Sequence, residues 1–372
     1  MKLLRLTPAL KATSASYNQF SLGFKETIDQ TVGSLHKHEV LIDKKIKIFH
    51  GDGSPLKMVK LIKGLVKKNK YDVIHIHNGV TGIIFILAIF PFRLGLLKKT
   101  VFTLHNSWNV LKTRNQVLNF FVMLVSKKVC TCGISSQNSL PKIINYFIGR
   151  KTKAIVNGFD HQRIDNIETK KSDKSHFDKK SKITIVYVGG FNNTKNQMAL
   201  LEVLKTGRIE AEIIFLGDGA NKKFSVDYSK HIPDHVKINF KGLVSRDLAI
   251  EHMLEADVFI SLSKGEGMPI AVLEAMYAGC FMILSKIPPH IEVSPPSERC
   301  LFVDSSNTDE IVNSLNHVRD NIKTLRSGRD KSKEHAINNF GVKHMLGGYK
   351  KVYDSLCEEY NLQFYPGYEG TG

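Results

Sequence analysis

Residues Ser261 to Ser285 read SLSKGEGMPIAVLEAMYAGCFMILS. An apolar strand ends at Ser263, a glycine-flanked turn of Gly265, Glu266, Gly267, Met268 and Pro269 follows, and a helix runs on to Gly279. Gly267 lets a ligand approach the backbone closely, and the N–H groups of a first helical turn suit the negative charge of a diphosphate. Glu274 stands eight residues after Glu266, about two turns at ~3.6 residues each, which sets both carboxylates on one side. Two acceptor groups so placed can grip hydroxyls of a sugar and a ribose. The same spacing also fits a plain strand-turn-helix that shows two carboxylates to water.

Upstream and downstream, the chain alternates short apolar strands with helical spacing. Strand candidates in the first half are KLLRLT, YDVIHIH at 71–77, KTVFTLH at 99–105, VCTCGIS at 129–135 and KAIVNG at 153–158, with helices over 55–69 and 115–128. A polar segment, 161–182, reads as a linker. The alternation then restarts with KITIVYVGG, AEIIFLGDG, VKINFKG, ADVFISLS and CFMILS, separated by helices at 195–206, 245–255 and 267–278. The pattern predicts an α/β protein of two doubly wound parallel-sheet lobes, with a ligand held between the carboxyl ends of their strands. The expected domains are an N-terminal lobe (1–160), the linker, a C-terminal lobe (183–340), a helix over 341–360 and a flexible tail over 361–372.

Other residues can carry chemistry. Lys195 follows the Gly189-Gly190 turn just before a helix, where an ammonium can neutralise a diphosphate or simply face water. Gly217, Asp218 and Gly219 end a strand, as an ordinary β-α turn or as a nucleotide loop. His105 ends TVFTLH; His75 and His77 share one side of their strand, but no carboxylate or cysteine stands nearby at metal-ligand spacing. Asp-x-Asp is missing from the chain, so charge on a leaving nucleotide falls to Lys195 and helix N-terminal amides, with no obligatory metal.

EGMPIAVLEAMYAG resembles the donor-binding signature of the retaining glycosyltransferases of family four, group one, which have the GT-B fold of two Rossmann-like lobes. YDVIHIHN and VFTLHNS resemble that family's N-lobe strands, AIVNGFD its crossing between lobes, VYVGGFNNTKN and IIFLGDG its phosphate and nucleotide loops, and NFGVKHMLGGYKKVYDSL its closing helix. The resemblance implies a UDP-sugar donor, with a GDP-sugar as the second choice. It gives the donor sugar to Glu266, the ribose to Glu274, the diphosphate to Lys195 and the distal phosphate to the amides of Gly267 and Met268. It places His105 close to the donor sugar. The family usually has an arginine where Gly190 stands, and a Gly-Gly loop where this chain has LKATSASYNQF, with Ser14 and Ser16, at 10–20.

The net charge of +18 is confined to residues 1–160, which hold 25 Lys/Arg against 7 Asp/Glu, while 161–372 hold 28 of each. One lobe therefore faces a polyanion, an anionic lipid surface or nucleic acid. Zinc-finger spacing and interleaved aromatic RNA motifs are missing, which disfavours nucleic acid. In PLKMVKLIKGLVKKNK, 55–70, Lys57, Lys60, Lys63 and Lys67 form one stripe and Leu56, Val59, Ile62 and Val66 an apolar one. Five cysteines without a Cys-x-x-Cys pair predict reduced thiols in the cytoplasm. The longest apolar run, 82–97, is broken by Pro91 and Arg93 and is too short to span a bilayer. The resemblance implies a retaining glycosyltransferase that extends a lipid-linked glycan in O-antigen or capsule synthesis, and with it these features predict a protein peripheral on the inner face of the cell membrane. A nucleotide-sugar epimerase of the same fold and an inactive glycan-binding scaffold are the rival readings.

Overall fold

The computed structural model describes residues 1–11, 16–38, 43–171, 182–293 and 296–364. The chain divides into two compact units, Met1–Asn157 with Val342–Gly372, and Gly158–Gly341. The first unit holds β1 (Lys2–Thr7), β2 (Asp29–Ser34), β3 (Ile46–His50), β4 (Val73–Ile76), β5 (Thr100–Leu104), β6 (Lys128–Thr131) and β7 (Thr152–Ala154). Its helices include α1 (Pro55–Lys68), α2 (Gly79–Ile89), α3 (Thr113–Val125), α4 (Ile134–Asn138) and α5 (Lys142–Ile148). The second unit holds β8 (Ile183–Val188), β9 (Ala211–Leu216), β10 (Lys237–Gly242), β11 (Val258–Ser261), β12 (Phe281–Ser285) and β13 (Cys300–Val303). Its helices are α6 (His161–Lys171), α7 (Gln197–Lys205), α8 (Lys222–Ser229), α9 (Arg246–Glu255), α10 (Ile270–Tyr277), α11 (Pro288–Glu292), α12 (Thr308–Asp320), α13 (Ile322–Ser327) and α14 (Arg329–Phe340). The last helix, α15 (Val342–Phe364), belongs to the first unit.

Both sheets are parallel. Their strand orders, β3-β2-β1-β4-β5-β6-β7 and β10-β9-β8-β11-β12-β13, reverse direction at the first strand of each unit, the Rossmann arrangement. The first sheet shows how alternation builds it. Leu4, Leu6, Ile74, Ile76 and Phe102 point to the face covered by α1 and α2, where Met58, Ile62, Phe85 and Ile89 fill the core. Their neighbours Leu3, Val73 and Val101 point to the other face, against Met345, Tyr349, Val352, Tyr353 and Leu356 of α15.

Four expectations need correction. Residues 161–171 are helix α6 and not a linker: fully buried Ile164 anchors it, Tyr277 donates to Asp165 at 2.7 Å, and Arg163 pairs with Asp247 at 2.5 Å. With the Lys333–Glu168 ion pair at 2.8 Å, polar contacts do most of the holding, which its composition hides; residues 172–181 lie outside the described residues. Strands Asp29–Ser34, Ile46–His50 and Cys300–Val303 stand beyond the ten expected. On α1 the buried stripe is Met58, Ile62 and Val66, whereas Leu56 is 76% exposed. Helix α15 continues to Phe364, past the start of the expected tail, whose residues 365–372 lie outside the described residues. Among the described residues no helix is long and apolar enough to cross a membrane, and all five cysteines are free thiols.

Leu356 is 1% exposed at the heart of the α15 contact. Leu356→Ala is expected to destabilise the first unit by about 2–4 kcal/mol, measured by denaturant unfolding. An effect below ~1 kcal/mol would show that α15 is not part of that core.

Candidate active site

In the second unit, the ends of β8 and β9 are stacked backbone on backbone. Gly217 has φ +146°, and a Cβ there would lie 2.1 Å from the Gly189 carbonyl oxygen, so no side chain fits. Phe191 N–H donates to the Asp218 carbonyl at 3.0 Å and Gly189 N–H to Leu216 at 2.9 Å. The Asp218 carboxylate accepts from the Gly219 amide at 2.7 Å and from Lys222 at 3.2 Å, which together hold its pKa below the ordinary value. Gly190 adopts no left-handed conformation, and a Cβ there would meet its nearest neighbour, the Asp218 carbonyl, at 3.4 Å. A side chain can therefore be carried at this position.

The loop after β8 is tied to the turn after β11. Asn196, left-handed at φ +57°, donates to the Leu262 carbonyl at 3.1 Å, and Lys264 N–H donates to Thr194 at 2.8 Å. The buried Tyr187 hydroxyl accepts from Leu262 N–H at 3.0 Å and donates to the Lys195 carbonyl. Burial raises its pKa, which keeps the hydroxyl a donor. Across this junction Lys195 Nζ meets Glu266 Oε1 at 2.6 Å, with side chains 25% and 11% exposed.

The two carboxylates of the Glu-x7-Glu segment do not share one helix. Glu266 lies in the turn, Pro269 caps the helix, and α10 begins at Ile270. Glu274 is buried within α10 and accepts from Arg246 Nε at 2.6 Å. The structure thus gives each carboxylate its own cation, and Gly267 and Met268 precede the helix where its first turn was expected. Sequence reasoning missed Arg246 and Tyr187; an arginine opening α9 and a tyrosine inside a strand carry no spacing that points to the site. It also missed His290, buried below the Glu266 turn, whose Nδ1 lies 3.0 Å from the Ser285 carbonyl and 3.1 Å from its hydroxyl. Burial first of all lowers the pKa of His290 to about 4.

In the first unit, the face under α15 carries a polar chain. Arg5 follows Leu3 by two residues, His75 and His77 follow Val73 on the same side, and Thr103 and His105 follow Val101. Arg5 is 1% exposed, with its guanidinium 4.8 Å over the Phe20 ring. It donates to Ser21 Oγ at 2.7 Å, and its Nη2 and Nε lie 2.8 and 3.2 Å from His77 Nε2. A guanidinium can only donate, so His77 Nε2 is a lone pair and its proton sits on Nδ1. That proton is donated to His105 Nε2 at 2.8 Å, which leaves a neutral His105 with its own proton on Nδ1. His75 is engaged by Tyr353 and Thr103, each at 2.7 Å. The three histidines therefore form a hydrogen-bonded structure, and among the described residues no cluster of His, Cys, Asp or Glu could hold a metal. His77 and His105 line a cavity of about 130 Å³ with Asn78, Asn106, Asn115 and Asn119. Ser14 lies outside the described residues, and Ser16 falls in a short helical turn, Ser16–Ser21.

The chain is similar to known proteins over most of its length. Residues 168–335 match the family of glycosyl transferases group 1. The chain is 28% identical over 271 residues to the capsular polysaccharide biosynthesis glycosyltransferase CapH of Staphylococcus aureus, covering 69% of each protein. It is 24% identical over 308 residues to the UDP-Gal:alpha-D-GlcNAc-diphosphoundecaprenol alpha-1,3-galactosyltransferase of Escherichia coli, covering 80% of this chain and 78% of that one. Among solved structures, Anabaena HepE in complex with UDP superposes with a TM-score of 0.75 at 17% identity, over 95% of this chain and all of the other. Sucrose-phosphate synthase from Thermosynechococcus elongatus gives 0.77 at 13%, over 96% of this chain and all of the other. These structures share its fold.

Two outcomes follow from the buried charges and rings. Glu274→Ala strands the Arg246 guanidinium and is expected to cost the second unit about 3–5 kcal/mol, read as a lowered melting temperature. Burial, then neighbouring positive groups, hold His75 and His77 well below their ordinary pKa, and His105 at about 4. Unfolded rings titrate near ~6.5, so below that pH the unfolded chain binds more protons and stability falls as pH drops. Two fully buried rings should make the first unit about 2–3 kcal/mol less stable at pH ~5.5 than at pH ~7, with a smaller share from half-buried His105. A flat denaturation profile across that range would mean that the rings are not kept neutral.

Proposed function

We propose that the chain is a group 1 glycosyltransferase, the family it is similar to over residues 168–335, and that it transfers a hexose or N-acetylhexosamine from a UDP-sugar to a hydroxyl of a lipid-linked glycan, with retention of anomeric configuration. The observation that carries this reading is the Lys195–Glu266 pair, held at one junction by Tyr187, Asn196 and Lys264. An ammonium for the diphosphate and a carboxylate for the sugar hydroxyls are already adjacent, and a bound donor would part them. Glu274, steadied by Arg246, takes the ribose, and the amides of Gly267 and Met268 take the distal phosphate.

In a front-face transfer the bond from the anomeric carbon to the phosphate oxygen breaks while the acceptor oxygen bonds to the same face. The acceptor proton passes to the departing phosphate, so no protein nucleophile is needed. A charged lysine stabilises the leaving diphosphate without a metal. His105 contributes a neutral Nδ1–H donor; a ring held at about 4 is a poor base near neutrality. The amide-lined cavity beside it offers hydroxyl-binding groups without charge. Relatives named for capsule and diphosphoundecaprenol-linked synthesis support a lipid-linked acceptor, and the basic first unit supports work at the inner face of the membrane.

The test is a thermal-shift panel of UDP, GDP, ADP and their sugars on the wild type, Lys195→Ala and Gly190→Arg. UDP compounds are expected to stabilise the wild type, because a ligand that binds only the folded state raises its stability. Lys195→Ala should weaken that binding about tenfold, and Gly190→Arg, which the backbone accommodates, should tighten it by a similar factor. Glu274→Ala is unsuitable here because it disturbs the fold as well. A response to GDP or ADP alone would overturn the donor assignment, and no response to any nucleotide would overturn the donor site.

A further inference from the structure

Residues 73–159 contain eleven Lys/Arg and no Asp or Glu. This stretch includes α3 and α5, and these two helices expose large apolar side chains together: Val117 (63%), Phe121 (47%) and Leu124 (42%) on α3, Ile143 (66%), Tyr146 (82%) and Phe147 (54%) on α5. The helices pack against each other, with the Phe120 and Phe147 rings 6.4 Å apart edge to face. A continuous apolar surface of this kind on a folded unit marks a docking site.

The end of this surface opens on a cavity of about 280 Å³ lined by Lys128, Arg150, Lys151, Lys153 and Lys351. Two of these are committed. Lys128 pairs with Glu359, which Lys127 also meets at 3.2 Å. Lys151 donates to the carbonyls of Leu124 and Ser126 at 2.6 and 2.7 Å, which ties the cavity wall to the end of α3. Burial, then the charge of Lys127, lowers the pKa of Lys151. Arg150, Lys153 and Lys351 are exposed and make no ion pair among the described residues. Arg150 stands in the single turn that follows α5, so the cavity holding the three available cations begins where that helix ends.

We propose that the α3–α5 face docks on an anionic bilayer, with a head-group phosphate held by Arg150, Lys153 and Lys351 and the aromatic side chains among the acyl chains. The combination selects the partner. A nucleic acid offers phosphate but no hydrocarbon for Tyr146 and Phe147, and an apolar protein groove gives no use to cations without acidic neighbours. The inference rests on the membrane-facing role given to the enzyme above, and it assigns that role to a face that has both charge and apolar surface.

Sedimentation with vesicles tests it without using sugar transfer, so the face and the reaction can fail separately. The wild type should bind phosphatidylcholine vesicles doped with phosphatidylglycerol and bind pure phosphatidylcholine at least tenfold less. Each surface cation is worth about fivefold near an anionic bilayer, so Arg150→Ser with Lys153→Ser should cost at least tenfold. Phe121→Ser with Tyr146→Ser should also reduce binding. Lys60→Ser with Lys67→Ser in α1 should change it little. Tyr146→Trp should give fluorescence quenched by brominated lipid, against a background from Trp108, which is 8% exposed. Equal losses from the α1 and cavity variants would mean that only diffuse charge is read. Stabilisation by inorganic phosphate without vesicle binding would make the cavity a site for a soluble anion. Either result overturns the proposal.

Discussion

The Tyr187 hydroxyl is the point on which the second unit's chemistry depends. It sits at the junction of two loops that come from different strands and would otherwise drift independently. By accepting from Leu262 N–H and donating to the Lys195 carbonyl, it uses both of its roles at once and fixes the spacing of those loops. The ring reaches that place because β8 is a central strand, paired to β9 on one side and β11 on the other. Packing of Tyr187 against Phe215, at 5.8 Å between centroids, anchors the hydroxyl from below. Lys195 and Glu266 are therefore opposed by a rigid frame and not by their own attraction.

A similar economy governs the first unit. Because side chains on a strand alternate, one parity of β1, β4 and β5 builds an apolar core, while the other begins apolar and turns polar towards the carboxyl end. Arg5, His75, His77, Thr103 and His105 all belong to that second parity. Arg5 dictates where the proton sits on His77 and, through it, on His105. Burial, reinforced by the charge of Arg5, keeps those rings neutral, so the half-buried histidine at the far end is delivered as a hydrogen-bond donor.

The fold was legible where burial is two-sided. Strands such as ITIVYV, AEIIFL and FMILS have almost no polar residues, and the parallel sheets that such runs demand are present in both units. DQTVGS and IKIFH were illegible because they lie towards one edge of the sheet, where polar residues alternate and a run of four apolar residues never forms. The polar helix α6 was hidden for a related reason: beyond Ile164, its attachment is by polar contacts. At the site, the sequence marked Lys195, Glu266 and Glu274 but not what holds them, since Arg246 lies 28 residues from Glu274 and Tyr187 belongs to a strand. Arg5 was visible as a charge inside an apolar strand, a pattern that burial makes costly unless the group is engaged, and its meaning emerged only with His77 beside it.

Unit two is an insertion within unit one, and α15 supplies much of one side of the first unit's core, beside Phe20, Phe24 and Ile28. During synthesis on a ribosome, Leu3, Val73 and Val101 leave the exit tunnel long before Tyr349, Tyr353 and Leu356 exist. The middle of the chain can mature as soon as it emerges, whereas the first-made strands must wait with one hydrophobic face only partly covered until the last helix arrives. The unit translated first is thus completed last, and its waiting face is the part of the nascent chain most in need of a chaperone.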